Sequence, residues 1–276
     1  MGEIRRSQDR YALVFTLVLT ILTADCSEFF FQPVWAADSS VPQVTVTAAN
    51  RAEQIFKAAE TRFNQEPANV LAAWQFARAC FDLAELAAEN AQRADFANRG
   101  IAACRQVIDR DPTNAAGHYY LGMNLAQLAR TKNLGALKIV GEMEREFTTA
   151  LALDPVFDFA GPDRNLAMLY HQAPGWPTSI GSKKKARTHL LQAVTRSPDY
   201  PENRLYLLEV YLDWDERKAV RDQIPSMERT LERARMKFAG AEWAASWADW
   251  ERRWEKIKRK AYEKPKPAAS PRQKQD

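Results

Sequence analysis

The sequence predicts an all-α fold, a solenoid of about four helix pairs, and three observations carry that expectation. Only 10 of 276 residues are glycine, while Ala, Leu, Arg and Glu dominate and β-branched residues rarely cluster, a composition that favours helix over strand. Pro67, Pro112, Pro155 and Pro198 stand 45, 43 and 43 residues apart, which is the regularity of an internal repeat. Ahead of each proline, apolar residues recur at positions that share one face of a helix.

Eight residues before the prolines stand Ala59, Cys104, Phe147 and Leu190, and four before stand Phe63, Ile108, Leu151 and Val194. Five before come Arg62, Val107, Ala150 and Ala193, mostly small enough to let a neighbouring helix approach; only Arg62, in the terminal repeat, departs. Each proline follows an acidic or polar residue (Glu66, Asp111, Asp154, Ser197), as where one helix stops and a turn begins. The string Asn114-Ala115-Ala116-Gly117-His118-Tyr119-Tyr120-Leu121-Gly122 after Asp111-Pro112 resembles a tetratricopeptide repeat. A 43-residue period leaves paired helices of the HEAT type as a rival, and the Asp-Pro-x-Asn turn favours the tetratricopeptide type.

The predicted pairs are 49–64 with 69–87, 92–109 with 114–130, 136–152 with 162–171, and 183–196 with 202–214, within a solenoid spanning 48–240. Pro225 is expected to split the segment beyond the last pair, leaving a helix over 226–238. A last helix over 241–262 carries Trp243, Trp247, Trp250 and Trp254 on one stripe, continued by Ile257. Its expected role is to cap the open end of the solenoid; the rival is a membrane-surface or homo-oligomer contact, since Arg252, Arg253, Lys256, Lys258, Arg259 and Lys260 crowd beside it. From 263 to 276 the Lys-Pro-Lys-Pro tail reads as disordered.

At the other end, Arg5, Arg6 and Arg10 precede the apolar stretch 11–24, and Val34-Trp35-Ala36 offers a small-residue cleavage site. Residues 1–37 are therefore read as a signal peptide and 38–47 as a linker, placing the mature chain in the periplasm or outside the cell. An uncleaved N-terminal membrane anchor is the alternative, although the apolar run is shorter than the ~20 residues a bilayer needs.

A more specific signal runs from Gly161-Pro162-Asp163-Arg164 through Leu169-Tyr170-His171-Gln172-Ala173-Pro174-Gly175-Trp176-Pro177-Thr178-Ser179-Ile180-Gly181 and Lys185-Ala186-Arg187-Thr188-His189-Leu190 to Ser197-Pro198-Asp199-Tyr200-Pro201-Glu202-Asn203-Arg204. This block resembles the T-component family of tripartite ATP-independent periplasmic (TRAP) transporters. The resemblance implies an exported helical-repeat accessory protein acting beside a periplasmic solute-binding protein, with a small hydrophobic or anionic solute as a further ligand. Gly181-Ser182 stands where family members commonly have Gly-Asp, and Cys26 lies in a poor context for lipidation.

Within the block, Arg164 is a cation in the first turn of a helix, which opposes the macrodipole by roughly 0.3–1 kcal/mol, so its side chain needs another partner. A clamp on the following loop and a contact to an acidic ligand both suit it. The loop 173–182, with two prolines, two glycines and Trp176, cannot be helical. Its indole suits either recognition or a plug sealing the repeat junction. The candidate ligand or partner residues are Arg164, Tyr170, Pro174, Trp176 and Ser179.

Catalytic chemistry has little to stand on. His118, His171 and His189 form no i, i+4 pair and no Cys-His set of ligand spacing, so neither metal nor cofactor is expected. Glu142, Glu144 and Glu146 alternate along a helix and read as solvated surface, and no phosphate loop or nucleophile elbow appears. A net charge of +4 with both signs interspersed gives no nucleic-acid footprint. Cys80 and Cys104, on neighbouring helices, could form a disulfide in an oxidising compartment or fill tight core positions as thiols.

Overall fold

A computed structural model describes residues 48–132 and 135–263. The segments read from sequence as a signal peptide (1–37) and a linker (38–47), and the tail beyond Glu263, lie outside the described residues. The described chain is helical almost throughout: α1 (Ala48–Gln65), α2 (Val70–Leu86), α3 (Asn90–Arg110), α4 (Ala115–Arg130), α5 (Ala136–Leu153), α6 (Phe157–Gln172), α7 (Lys183–Arg196), α8 (Pro201–Asp213), α9 (Arg217–Lys237) and, after a 3-10 turn at Ala241–Trp243, α10 (Ala244–Tyr262).

Local chemistry explains the boundaries. Asn69 Oδ1 accepts from the backbone N–H groups of Leu71 and Ala72 at 2.9 and 3.2 Å, and Asn114 Oδ1 from Gly117 at 3.0 Å, so the asparagine of each of these proline turns caps the next helix. Asp111 and Asp154 instead accept from the N–H two residues on, at 3.1 and 3.0 Å, and close the turn itself.

Each of α2, α4, α6 and α8 packs most extensively on the helix that follows it. The hairpins are therefore α2–α3, α4–α5, α6–α7 and α8–α9, one helix out of phase with the expected pairs, and the proline turns join successive hairpins. A helix has a chain neighbour on both sides, so spacing alone cannot fix this phase; close packing does.

Two layers result. The even-numbered helices touch in succession, α2 on α4, α4 on α6, α6 on α8 and α8 on α10, whereas the first odd-numbered ones meet through side chains, as where Phe56 of α1 packs edge-on against Phe96 of α3 and Arg105 of α3 pairs with Glu142 of α5. Burial follows. In α4 the twelve residues from Ala116 to Gln127 are all buried, while α5 and α7 each bury only three. The small positions ahead of the prolines, Val107, Ala150 and Ala193, are fully buried, as are Cys104 and Leu190. Arg62 departs in the first described helix, where it hydrogen-bonds Gln75 of α2 at 3.1 Å.

One expectation needs correction. Pro225 does not split a helix: α9 runs unbroken through it, so the proline removes one backbone donor without ending the element. Cys80 and Cys104 are free thiols buried in the first core cluster, where burial pushes the Cys80 thiol up to about 12. They serve as small core residues and do not bridge the helices.

The Trp-bearing segment closes the second core cluster. Trp243, Trp250 and Trp254 are buried and Trp247 partly so, packed among Tyr200, Phe238, Leu207 and Val210. Trp250 donates its indole N–H to Glu202 Oε2 at 2.8 Å, and Trp247 donates to the Phe238 carbonyl at 2.7 Å. Arg217 and Arg221 donate to the carbonyls of Lys260 and Ala261, at 2.6 and 2.7 Å, and satisfy the last turn of α10.

Candidate binding surface

The block that carries the T-component resemblance folds largely inward. At the start of α6, Asp158, Phe159 and Ala160 have positive φ of 47°, 54° and 62°, a left-handed turn costing non-glycine residues about 1–2 kcal/mol each. Right-handed helix begins only at Gly161-Pro162, as the sequence predicted for that pair. Gly161 is required by a close approach, since a Cβ there would lie 2.6 Å from the Tyr119 hydroxyl.

Arg164 holds this turn. It is buried, and it donates to Asp158 Oδ2 at 2.9 Å, to Asn203 Oδ1 at 2.8 Å, and to the carbonyls of Asp158 and Phe159 at 3.3 Å. Tyr119 adds its hydroxyl to Asp158 Oδ2 at 2.6 Å, and Asn203 donates back to the Phe159 carbonyl at 2.9 Å. Burial opposes the guanidinium charge, but Tyr119 and Asp158 outweigh it and hold its pKa above the ordinary arginine range. Arg164 is thus a clamp, though on the turn before it and on α8, not on the loop beyond α6.

Asp163, fully buried, accepts from His189 Nδ1 at 2.8 Å and from Arg196. The His189 ring stacks on Tyr170 at 5.6 Å, and Tyr170 donates its hydroxyl to Glu144 at 2.5 Å. Burial and the nearby Lys185 keep the His189 pKa below its ordinary 6.5, consistent with a neutral ring that donates only from Nδ1. A lowered native pKa contributes stability that is present above pH 6.5 and lost as pH falls through the native value. The thermal midpoint is therefore expected to fall as the pH drops below 6.5, and Asn in place of His189 should flatten that limb. An unchanged limb in the variant would assign the acid sensitivity elsewhere.

The acidic run of α5 is not solvated surface. Glu142 pairs with Arg105 of α3 at 3.2 Å, Glu146 with His118 of α4 at 2.7 Å, and Glu144 with Tyr170 of α6 and, at 3.5 Å, Lys185 of α7. Three carboxylates pin one outer helix to four neighbours. The sequence shows the alternation and cannot show that each carboxylate meets a different helix.

Of the residues picked from sequence, Arg164 and Tyr170 are buried and engaged within the fold, Pro174 and Trp176 are exposed, and Ser179 is half-buried. The loop 173–182 is internally braced. Gly181 N–H donates to the Pro174 carbonyl at 2.9 Å, Thr178 and Ser179 donate to the Gly175 carbonyl at 3.1 and 3.3 Å, and Ser182 donates to the Tyr170 carbonyl at 2.9 Å. A Cβ on Gly181 would sit 2.1 Å from the Ala173 carbonyl oxygen, so only glycine closes this loop. Trp176 is 89% exposed at its tip and plugs nothing.

Aromatic residues that spacing did not single out line the contacts between the even helices. Trp74 of α2 stacks on Tyr120 of α4 at 5.9 Å, and Phe157 of α6 packs edge-on against Tyr120. In the next layers Arg253 of α10 lies over the Tyr206 ring of α8 at 4.7 Å. These rings recur along the even layer, on elements with no chain proximity, so no short motif announces them.

Comparison with known proteins agrees on architecture. The family model of regulator of microtubule dynamics protein 1-3 matches residues 41–159. No curated protein matches. The crystal structure of TTC0263, a thermophilic TPR protein of Thermus thermophilus, is similar with 18% identity and a TM-score of 0.55 over 76% of this chain and 92% of its own. The crystal structure of MamA, at 16% identity over 70% of this chain and 98% of its own, reaches 0.44. The likeness to TTC0263 carries the repeat fold and not the T-component identity: the chain is an all-α solenoid of the tetratricopeptide-repeat type.

Proposed function

We propose that this protein is a non-enzymatic scaffold that binds a protein partner, and that the partner is an exported solute-binding protein of the kind TRAP T-components accompany. The first part is supported by the fold, because stacked hairpins bury their cores between neighbours and leave long layered surfaces free for partners. The second rests on the 161–204 block and on the N-terminal segment read as a signal peptide. A solute site built on Arg164 and Tyr170 is not favoured, since both side chains are spent inside the fold. The exposed part of the block, the braced loop 173–182, is where a partner can reach it.

The test is direct titration calorimetry of the full-length mature chain against the solute-binding protein encoded nearest its own gene. Saturable binding that weakens when Trp176 becomes Ala supports the reading. No heat with that protein, or an intact Met1 found by mass spectrometry where Ala37 or Asp38 is expected, would remove the transporter assignment. In that case cross-linking in the cell envelope identifies which scaffold partner takes its place.

A further inference from the structure

We infer that the loop 173–182 and the first turn of α7 form a contact site for an anionic lipid bilayer, with Trp176 entering the interface and Lys184 reading the surface charge. This contact does not depend on the protein partner proposed for the same loop. Trp176 is 89% exposed and, among the described residues, its ring stacks on no other ring and its N–H meets no acceptor. An indole offers about 150–250 Å² of buriable surface, and four backbone hydrogen bonds brace the loop that holds it out. The fold gains nothing from that arrangement.

Charge points to the partner. From Arg164 to Pro198 the sequence holds no Asp or Glu, and the cations Lys183, Lys184 and Lys185 follow the loop directly. They occupy the first turn of α7, where cations oppose the helix dipole. Lys183 leans on Glu216 and Lys185 on Glu144, with both side chains about half exposed. Lys184 is exposed and pairs with no carboxylate among the described residues. An exposed indole with prolines on both sides and the unpaired Lys184 close behind it in the chain suits a flat anionic surface. No helix among the described residues is long and apolar enough to cross a membrane.

The experiment is co-sedimentation of the full chain with vesicles of phosphatidylcholine alone and with about one third phosphatidylserine. Binding is expected only to the anionic vesicles. Trp176→Ala should lower the partition coefficient about tenfold or more, and Lys184→Glu about fivefold. Both side chains are exposed, so the variants should melt as the parent does. Vesicles carrying brominated acyl chains should quench a fluorescence component that Trp176→Ala removes. Equal partition of the parent and both variants would overturn the proposal. It would be overturned equally if no vesicle bound and Trp176→Ala weakened only a protein partner, which would make the loop a protein contact.

Discussion

Truncating Trp250 to alanine is expected to cost about 3–5 kcal/mol, the range for removing a large aromatic from a core. The side chain is fully buried, with Tyr200, Phe238, Trp243 and Trp247 all within ring-contact distance. Its loss also strips a donor from Glu202, a carboxylate with no exposure that keeps Arg253 as its other partner. In a solenoid, stability is shared mainly between neighbouring layers, so the damage should concentrate in α8–α10. Hydrogen exchange should speed up there and leave α2–α5 protected, while the thermal midpoint drops by roughly 6–20 °C. Deleting residues 241–276 should go further and expose apolar surface to dye. If either variant melts like the parent but loses self-association or vesicle binding, α10 is an interface and not a cap.

The second large effect is expected at Arg164. Leucine there should destabilise the protein by about 3–5 kcal/mol, because it leaves the buried Asp158 carboxylate with the Tyr119 hydroxyl but without its compensating charge, and frees the left-handed turn that the guanidinium holds. Asparagine tolerates positive φ, so Asp158→Asn keeps the turn and removes the charge. The double variant should recover part of the loss, giving a coupling of about 0.5–3 kcal/mol between the two sites by denaturant unfolding. Strict additivity would mean that Arg164 acts through Asn203 and Tyr200 instead, and the account of the turn would fall. Because the clamp joins α6 to α8, its loss should loosen the centre of the stack while α10 stays on α8.

The layout of elements was legible in the sequence because its signals are local. Pro112 and Asn114 mark a helix boundary by their own backbone and side-chain chemistry, and Val107, Ala150 and Ala193 mark a buried stripe by size alone. The Trp stripe likewise announced a face that needed cover. The pairing phase, the continuity of α9 through Pro225 and the roles within the T-component-like block were settled elsewhere. Asp163, Arg164, His189 and Asn203 look like site residues in a string of letters, yet they meet partners 26 to 39 residues away and form an internal clasp. Glu142, Glu144 and Glu146 look solvated until α3, α4, α6 and α7 arrive around them. Trp176 shows the reverse: a residue whose size suits a plug stands in solvent because a short glycine-closed loop turns it outward. Helix propensity, turn chemistry and side-chain volume belong to a residue and its near neighbours, so the sequence determined the repeat; burial of a charge or a ring depends on what distant segments bring to it, and only the tertiary structure decides that.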